Sequence, residues 1–246
     1  MTHDDGADDL GGVEAGDHAG AEGSDEAGDE AGDAGQQAEH RWPMALATLT
    51  AGVLHQFLPA DFLVSPRWIF PAFLVVFLGV LIAGDPGLID RQRPWLKVTT
   101  GLMIALIAVV NAVTAIRLVR GILWGQSFEA AGPLLAVGAI VWTTNIIIFA
   151  LWFWDFDGGG ASARAAAHHR GAAAFVFPEM SNPDLVPPRW TPQFVDYLTL
   201  SFNTATAFGP TDVSALRRSA KLMMIAESSI SLALATLVVA RAVNIM

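Results

Sequence analysis

The sequence predicts an all-α integral membrane protein with five transmembrane helices and a short re-entrant half-helix before the last of them. Two properties of the chain lead to this prediction. Of its 246 residues, 53% are apolar and the mean hydropathy is +0.45, whereas soluble domains are usually about 45–50% apolar. The apolar residues are also gathered into five long segments, without the alternation of period two that the strands of a membrane barrel require.

Each of the five apolar segments is long enough to be a transmembrane helix. A helix needs about 20 apolar residues to cross the hydrocarbon layer, and about 17–25 are tolerated. Four of the segments contain no Asp, Glu, Lys or Arg, and the fifth contains only Glu227. The segments are 44–60, 68–84, 98–116, 130–154 and 222–240.

Tryptophan residues lie at or just outside the ends of these segments. An indole ring prefers the headgroup region of a bilayer, because one edge is polar and the rest is apolar. This placement indicates a multi-pass protein of the cell membrane, with the lipid bilayer as its first partner. The six residues concerned are Trp42, Trp68, Trp95, Trp124, Trp152 and Trp154.

The charges divide the chain into an acidic tail and a slightly basic remainder. Residues 1–40 hold 13 of the 24 acidic residues and no Lys or Arg, with few large apolar side chains, so we expect this tail to be disordered. After it we expect a three-helix region at 41–125 and a second module at 126–246, with a flexible linker at 155–190. The chain has no cysteine, and no catalytic, metal-ligating or nucleic-acid-binding pattern stands out. We therefore expect no enzymatic activity, cofactor, metal site or nucleic-acid partner.

A helix too short to cross the membrane is predicted directly before the last apolar segment. Thr191 fits the N-cap position and Pro192 the first helical position, where a missing N–H has no cost. About 13 residues follow, or roughly 20 Å of helix. Gly209 and Pro210 then prevent simple continuation. This order of linker, half-length helix, polar strip and span is typical of a re-entrant loop.

The strip at 203–212, "NTATAFGPTD", resembles the pore module of the two-helix potassium-channel superfamily. In that family a pore helix leads into a strip whose backbone carbonyls replace the hydration shell of the ion. The two sequences align here without a gap. Residues 204–206 match the Thr-Ala-Thr with which the pore helix commonly ends, Gly209 falls on the first filter glycine, and Asp212 on the acid that closes the filter.

The filter itself departs from the family pattern. Ala207 stands for threonine, Phe208 for valine, Pro210 for the aromatic residue and Thr211 for the second glycine, so only Gly209 is kept. A β-branched Thr resists the positive φ that this second glycine adopts. The resemblance covers about 60 residues and implies a cation pathway without high selectivity for potassium. The whole chain also resembles an uncharacterised family of actinobacterial membrane proteins that end in a similar strip and in "ARAVNI", which implies the topology but no chemistry.

Three interpretations of the strip remain open from the sequence. It is a pore-lining re-entrant loop, a non-conducting re-entrant loop with a structural role, or an interfacial helix followed by a surface turn. Irregular backbone at membrane depth is tolerated only where protein or a water-filled cavity surrounds it. The first two interpretations therefore require an enclosure by other helices or subunits. Asn203 is the candidate for supporting the strip from behind. The candidate pore residues are Thr204, Thr206, Ala207, Phe208, Gly209, Pro210, Thr211 and Asp212.

Glu227 is the one carboxylic acid within an apolar segment, and Ser231 shares its helical face, with Ser228 beside it. An acid at membrane depth usually faces the interior of a bundle and is a candidate functional residue. In a tetramer these residues form a ring that attracts cations. The alternative is that Glu227 binds a polar group of a neighbouring helix and fastens the bundle.

The sequence favours a passive, cation-permeable channel, homotetrameric and open to monovalent cations. The first alternative is a non-conducting membrane scaffold or regulatory protein, and the second is a secondary transporter of a small solute. The orientation stays open, because the positive-inside rule places the strip on the cytoplasmic side. The resembling channels place it outside.

Overall fold

The computed structural model describes residues 39–85, 88–89, 93–124, 130–166, 173–187, 190–206 and 212–245. All of them belong to the unit Gln37–Met246. The acidic tail predicted at 1–40 lies outside the described residues, except for Glu39 and His40.

The described residues are mainly α-helical, as the sequence predicts. Eight helices are α1 (Trp42–Gln56), α2 (Ile69–Gly84), α3 (Pro94–Trp124), α4 (Ala131–Phe156), α5 (Ala161–Ala166), α6 (Pro178–Ser181), α7 (Phe194–Thr206) and α8 (Arg218–Asn244). Three single turns of 3₁₀ helix lie at Ala60–Phe62, Asp157–Gly159 and Pro183–Leu185. Strands are confined to two antiparallel pairs: β1 (Glu39–His40) pairs with β2 (Leu88–Ile89), and β3 (Phe175–Val176) with β4 (Ser214–Ala215).

The five longest helices run alternately between two ends of the bundle. At one end, which we call the Glu39 end, Arg41 before α1 forms an ion pair of 2.6 Å with Asp85 after α2. Lys97 of α3 donates to the Gly159 carbonyl after α4 at the same end. At the other end, the Leu58 end, the Arg67 guanidinium donates to the Leu58 carbonyl, 3.0 Å away, between α1 and α2. The last turn of α8 packs at the Leu58 end.

Three helical stretches among the described residues are long and apolar enough to cross a membrane: Pro94–Trp124, Ala131–Arg164 and Arg218–Asn244. The first two of the five predicted spans form the shorter helices α1 and α2, of 15 and 16 residues. At 1.5 Å per residue these helices are about 22–24 Å long, less than the roughly 30 Å of a bilayer core.

Two predicted details differ in the structure. Thr191 and Pro192 do not begin the half-length helix, which starts at Phe194. The N–H of Gln193, directly before the helix, is accepted by the Asp196 carboxylate at 2.8 Å, so Asp196 and not Thr191 binds the backbone there. In the segment predicted as a flexible linker, 155–190, the described residues include α5, α6 and β3.

Helices α4 and α8 approach each other closely at Gly138. A Cβ atom placed on this glycine would lie 2.7 Å from Val238 Cγ1 and 3.0 Å from Cγ2. Small residues allow helices in membranes to pack at short distance, and dispersion contacts then hold them together. Gly138 therefore belongs to the packing that joins α4 to the last helix.

We predict that Gly138→Ala destabilises the protein, whereas Gly101→Ala does not. Both glycines lie in long helices, so alanine adds helix propensity of about 1 kcal/mol at each. At Gly101 a Cβ meets no atom within 4 Å, but at Gly138 it collides with a stiff β-branched side chain, an overpacking that typically costs about 1–3 kcal/mol. Thermal unfolding in detergent should show a lower midpoint for Gly138→Ala alone. Equal midpoints for the two variants would contradict the close approach.

Candidate functional site

The half-length helix α7 runs antiparallel along the last turns of α4. Three contacts trace this path. The Phe194 and Trp154 rings pack edge to face near the Glu39 end, with centroids 6.2 Å apart. About two turns further on, the Ser201 hydroxyl donates to the Ile146 carbonyl at 2.8 Å, and the Phe202 ring packs on Trp142 at 6.2 Å. The helix thus begins at the Glu39 end and penetrates the bundle.

Glu227 of α8 meets α7 at this inner position. Its side chain is completely buried, and its Oε1 lies within hydrogen-bonding distance of Ser201 Oγ. Its other oxygen, Oε2, has no hydrogen-bond partner among the described residues. One turn along α8, the equally buried Ser231 accepts a hydrogen bond of 3.1 Å from the Asn145 amide of α4. Within one protomer this arrangement favours the interpretation in which Glu227 fastens the bundle, rather than facing an open lumen.

The predicted filter residues divide between the end of α7 and a stretch outside the described residues. Thr204 and Thr206 form the last turn of α7, and Thr204 is buried, whereas Asn203 is half-buried. Asp212 resumes the described chain and is exposed. The other five candidates, Ala207, Phe208, Gly209, Pro210 and Thr211, lie outside the described residues.

Hydroxyl groups satisfy carbonyls at the inner end of α7. Ser228 of α8 donates to the Thr204 carbonyl at 3.1 Å, and Thr206 donates to the Asn203 carbonyl at the same distance. The Thr204 hydroxyl donates to the Leu200 carbonyl at 2.8 Å. The last carbonyls of a helix have no partner within the helix, and at this depth they require donors from the protein. Of the predicted polar residues on α8, Ser228 therefore binds the inner end of the half-helix directly.

A buried polar cluster at the Glu39 end was not predicted from the sequence. Glu39 lies in the acidic tail by sequence, yet its side chain is enclosed. Its Oε2 accepts a hydrogen bond of 2.7 Å from Trp154 Nε1, and its Oε1 accepts the backbone N–H of Phe194. Arg164 Nη2 lies 3.7 Å from Oε2. Burial raises the pKa of the Glu39 carboxyl, and the hydrogen bonds from Trp154 and Phe194 act in the opposite direction.

The second half of the cluster is organised by Asp157, directly after α4. One carboxylate oxygen accepts the Tyr197 hydroxyl at 2.6 Å, and the other accepts the backbone N–H of Ala174. The Arg164 guanidinium donates to the carbonyls of Trp154 and Asp157, each at 2.7 Å, and lies 5.0 Å from the centre of the Tyr197 ring. The cluster therefore joins the end of α4, the start of α7 and the strand pair β3–β4. In the sequence, this cluster is marked only by an acid followed by three consecutive glycines, at 157–160.

An apolar groove of about 600 Å³ lies between α1, α4 and α7. Leu46 and Thr50 of α1 form one wall, and Val195, Leu198 and Phe202 of α7 form the other. No charged residue is among those described as lining it. In a membrane such a groove accommodates apolar groups.

The described residues contain no group of three His, Asp or Glu side chains that could hold a metal ion. No protein-family model, curated protein or solved structure matches the chain. The function is therefore inferred from the geometry of the described residues.

We predict that Glu39→Gln destabilises the folded protein by about 1–3 kcal/mol, since all three partners of Glu39 are donors and an amide leaves at least one of them unpaired. The matched control is Asp184→Asn, the same loss of charge at an exposed site, where a change within about 0.5 kcal/mol is expected. Thermal unfolding measures both. An unchanged midpoint for Glu39→Gln would show that this carboxylate does not anchor α7.

Proposed function

We propose that the chain is a five-helix membrane protein whose last module, from α4 to α8, forms a passive cation pathway in a homo-oligomer. The observation that supports this most is the position of α7, a half-length helix that enters the bundle from one end and stops inside it. Helices of this kind present their inner end to an ion. The proposal includes α1 and α2 as short spans, flanked by Trp42 and Trp68 at the interface.

The depth reached by α7 follows from its contacts with the two long helices beside it. Ile146, which binds Ser201, lies ten residues before Phe156 at the end of α4, or about 15 Å along the axis. Glu227 lies nine residues after Arg218 at the start of α8, or about 14 Å. Half of a hydrocarbon layer is about 15 Å. With Phe156 and Arg218 taken as the membrane boundary, both lengths support a position of Ser201 near the middle of the hydrocarbon layer.

The chain then has to return to the Glu39 end, because Ser214 pairs with Val176 in β4 and β3. Eight steps along the backbone lead from Thr206 to Ser214, and at about 3.3 Å per step they reach up to about 26 Å. This length exceeds the length of α7, about 20 Å for its 13 residues. The stretch 207–213 is thus long enough to lead from the inner end of α7 back to the Glu39 end.

Electrostatics at the inner end of α7 favour a cation. The C-terminus of a helix carries a partial negative charge, and rings of backbone carbonyls replace ion hydration in known selectivity filters. Residues 204–212 would supply these carbonyls. Because Glu227 is buried inside the protomer, the proposed pathway relies on backbone dipoles and Asp212 for its negative potential.

Basic residues of the described chain orient the proposed protein. Seven lie at the Glu39 end and four at the Leu58 end, and the positive-inside rule then places the Glu39 end in the cytoplasm. This orientation makes α7 enter from the cytoplasmic side, opposite to the resembling channels. The seven are Arg41, Arg93, Lys97, Arg164, Arg217, Arg218 and Lys221. The four are Arg67, Arg117, Arg120 and Arg241.

A non-conducting scaffold is the second candidate function. The burial of Glu227 against Ser201 favours it, because the most polar part of the module is used for packing within the protomer. In this case α7 and the strip stabilise the bundle and do not enclose a lumen. Ion flux separates the two candidates.

We predict a re-entrant topology that single cysteines will reveal, since the chain has none of its own. In sealed, oriented vesicles a membrane-impermeant maleimide should modify Ser214→Cys and Phe57→Cys from opposite sides. Phe202→Cys, half-exposed on α7, should react only after detergent is added. Its modification in intact vesicles would contradict the insertion of α7. Complete labelling of all three variants in detergent is the control for reactivity.

We predict that the purified chain forms a symmetric oligomer and transports rubidium ions into liposomes, and that Gly209→Val reduces this uptake at least tenfold. The reason is that a β-branched residue resists the backbone conformation of a filter glycine. Gly132→Val is the matched control, because a Cβ at Gly132 meets no atom within 4 Å. An intact oligomer without uptake would favour the scaffold, and saturable uptake of one solute would favour a transporter.

A further inference from the structure

The contacts of Ser201 determine where the proton of Glu227 lies. Its Oγ is within hydrogen-bonding distance of two acceptors, the Ile146 carbonyl at 2.8 Å and Glu227 Oε1. A hydroxyl has a single proton and can donate to only one of them. Both contacts are satisfied together only when the carboxyl of Glu227 carries a proton and donates it to Ser201. Glu227 is then a neutral acid in the middle of the bundle.

No described charged group compensates Glu227. The described elements packed against its helix, α8, are α3, α4, α7 and β4. Their ionisable side chains lie toward the two ends of the bundle, and none is found in an ion pair with Glu227. These ionisable side chains are Lys97, Arg117, Arg120, Asp155, Asp196, Tyr197, Arg218, Lys221 and Arg241. A neutral carboxylic acid avoids the free-energy cost of burying a charge, so it needs no counter-charge nearby.

Polar side chains continue from Glu227 toward the Glu39 end. Ser201 lies one turn from Tyr197 on α7, a spacing at which side chains are neighbours. The Tyr197 hydroxyl donates to Asp157 at 2.6 Å. Asp157 ends this series, because the neighbouring Arg164 guanidinium keeps its protons and only holds the Glu39 carboxylate, 3.7 Å away, by its charge. Hydroxyl, phenol and carboxylate groups therefore lead in sequence from the middle of the bundle to one end.

A second polar series leads from Glu227 toward the Leu58 end. Ser231 lies one turn further on α8 and accepts the Asn145 amide at 3.1 Å. The neighbouring Thr144 lines a cavity of about 10 Å³ together with Asn111 and His55, and a volume of this size holds about one water molecule. The imidazole of His55 is buried, and its Nε2 has no hydrogen-bond partner among the described residues.

We propose that each protomer contains a path for protons, with Glu227 as the central proton carrier and His55 as the group nearest the Leu58 end. Two buried, titratable groups of the described chain each carry an atom without a hydrogen-bond partner, Glu227 Oε2 and His55 Nε2. Water at these positions completes the path. The path lies inside the protomer and does not use the strip at 207–211, so it is independent of the proposed cation pathway.

Proton movement along this path leaves no net chemical change in the protein. Glu227 releases its proton to the series on one side and takes another proton from the series on the other side. Each hydroxyl and water molecule on the way gives up one proton and receives one, then rotates back, whereas the Asn145 amide only holds Ser231 in position. Only the proton gradient or the membrane potential is consumed. Chains of acidic and histidine side chains carry protons in this manner in membrane proteins.

The test is proton uptake into liposomes that contain the full chain and a pH-sensitive dye, driven by a potassium diffusion potential with valinomycin. Uptake above that of empty liposomes is expected, and Glu227→Gln should reduce it at least tenfold. The amide keeps the shape of the acid but carries no exchangeable acidic proton. Asp184→Asn, at an exposed site, is the matched control and should leave the rate within twofold.

Two further variants separate this path from the cation pathway and from misfolding. Gly209→Val should leave proton uptake within twofold while it affects rubidium uptake, so either proposal can fail alone. Glu227→Asp, which retains an acid, should keep a measurable part of the uptake. If Glu227→Gln does not purify as a folded oligomer, the infrared band of a protonated carboxyl decides, and it should shift in D₂O and change in Glu227→Asp. Wild-type rates in Glu227→Gln, or no such band, would overturn the proposal.

Discussion

A buried polar group must find its partner within the protein, and this constraint governs the module around α7. Helix α7 ends inside the bundle, and its last carbonyls have no partner within the helix. Ser228 supplies a donor to Thr204, and Thr206 supplies one to Asn203. Ser228 of α8 is therefore explained by the end of α7.

The outer end of α7 requires hydrogen-bond acceptors, because the first N–H groups of a helix have no partner within the helix and carry a partial positive charge. The Glu39 carboxylate accepts the backbone N–H of Phe194 at this end, and it also accepts the indole N–H of Trp154 at the end of α4. The last residues of the acidic tail are thus part of the bundle. Asp157, through Tyr197 and the backbone before β3, fixes the same helix from a second direction. Both ends of α7 are held by side chains that lie far away in sequence.

How much of this could be predicted from the sequence depends on the range of the interactions. The bounds of the 13-residue helix α7 were predicted closely, because the residue types Gly209 and Pro210 and the apolar spacing before them are local signals in the sequence. Its start was predicted two residues early, because the donor groups are bound by Asp196 and by Glu39, a residue 155 positions away. Glu39 was assigned to the tail by composition, which averages over neighbours and misses a single buried acid. The apolar segments 44–60 and 68–84 had the right character, but hydropathy alone did not show that their helices end after 15 and 16 residues.

The burial of Glu227 argues against the ring of acids around a pore, which was one of the two interpretations of this residue from the sequence. A ring of carboxylates around a central pore requires Glu227 to face the axis of an oligomer, but its side chain is enclosed between α4, α7 and α8 within a single protomer. An alkali cation needs a shell of several oxygen atoms, whereas the one hydrogen-bond partner of Glu227 among the described residues is the Ser201 hydroxyl. A proton needs only a continuous series of hydrogen-bonding groups, and the described residues supply most of one. The acid therefore belongs to the interior of the protomer.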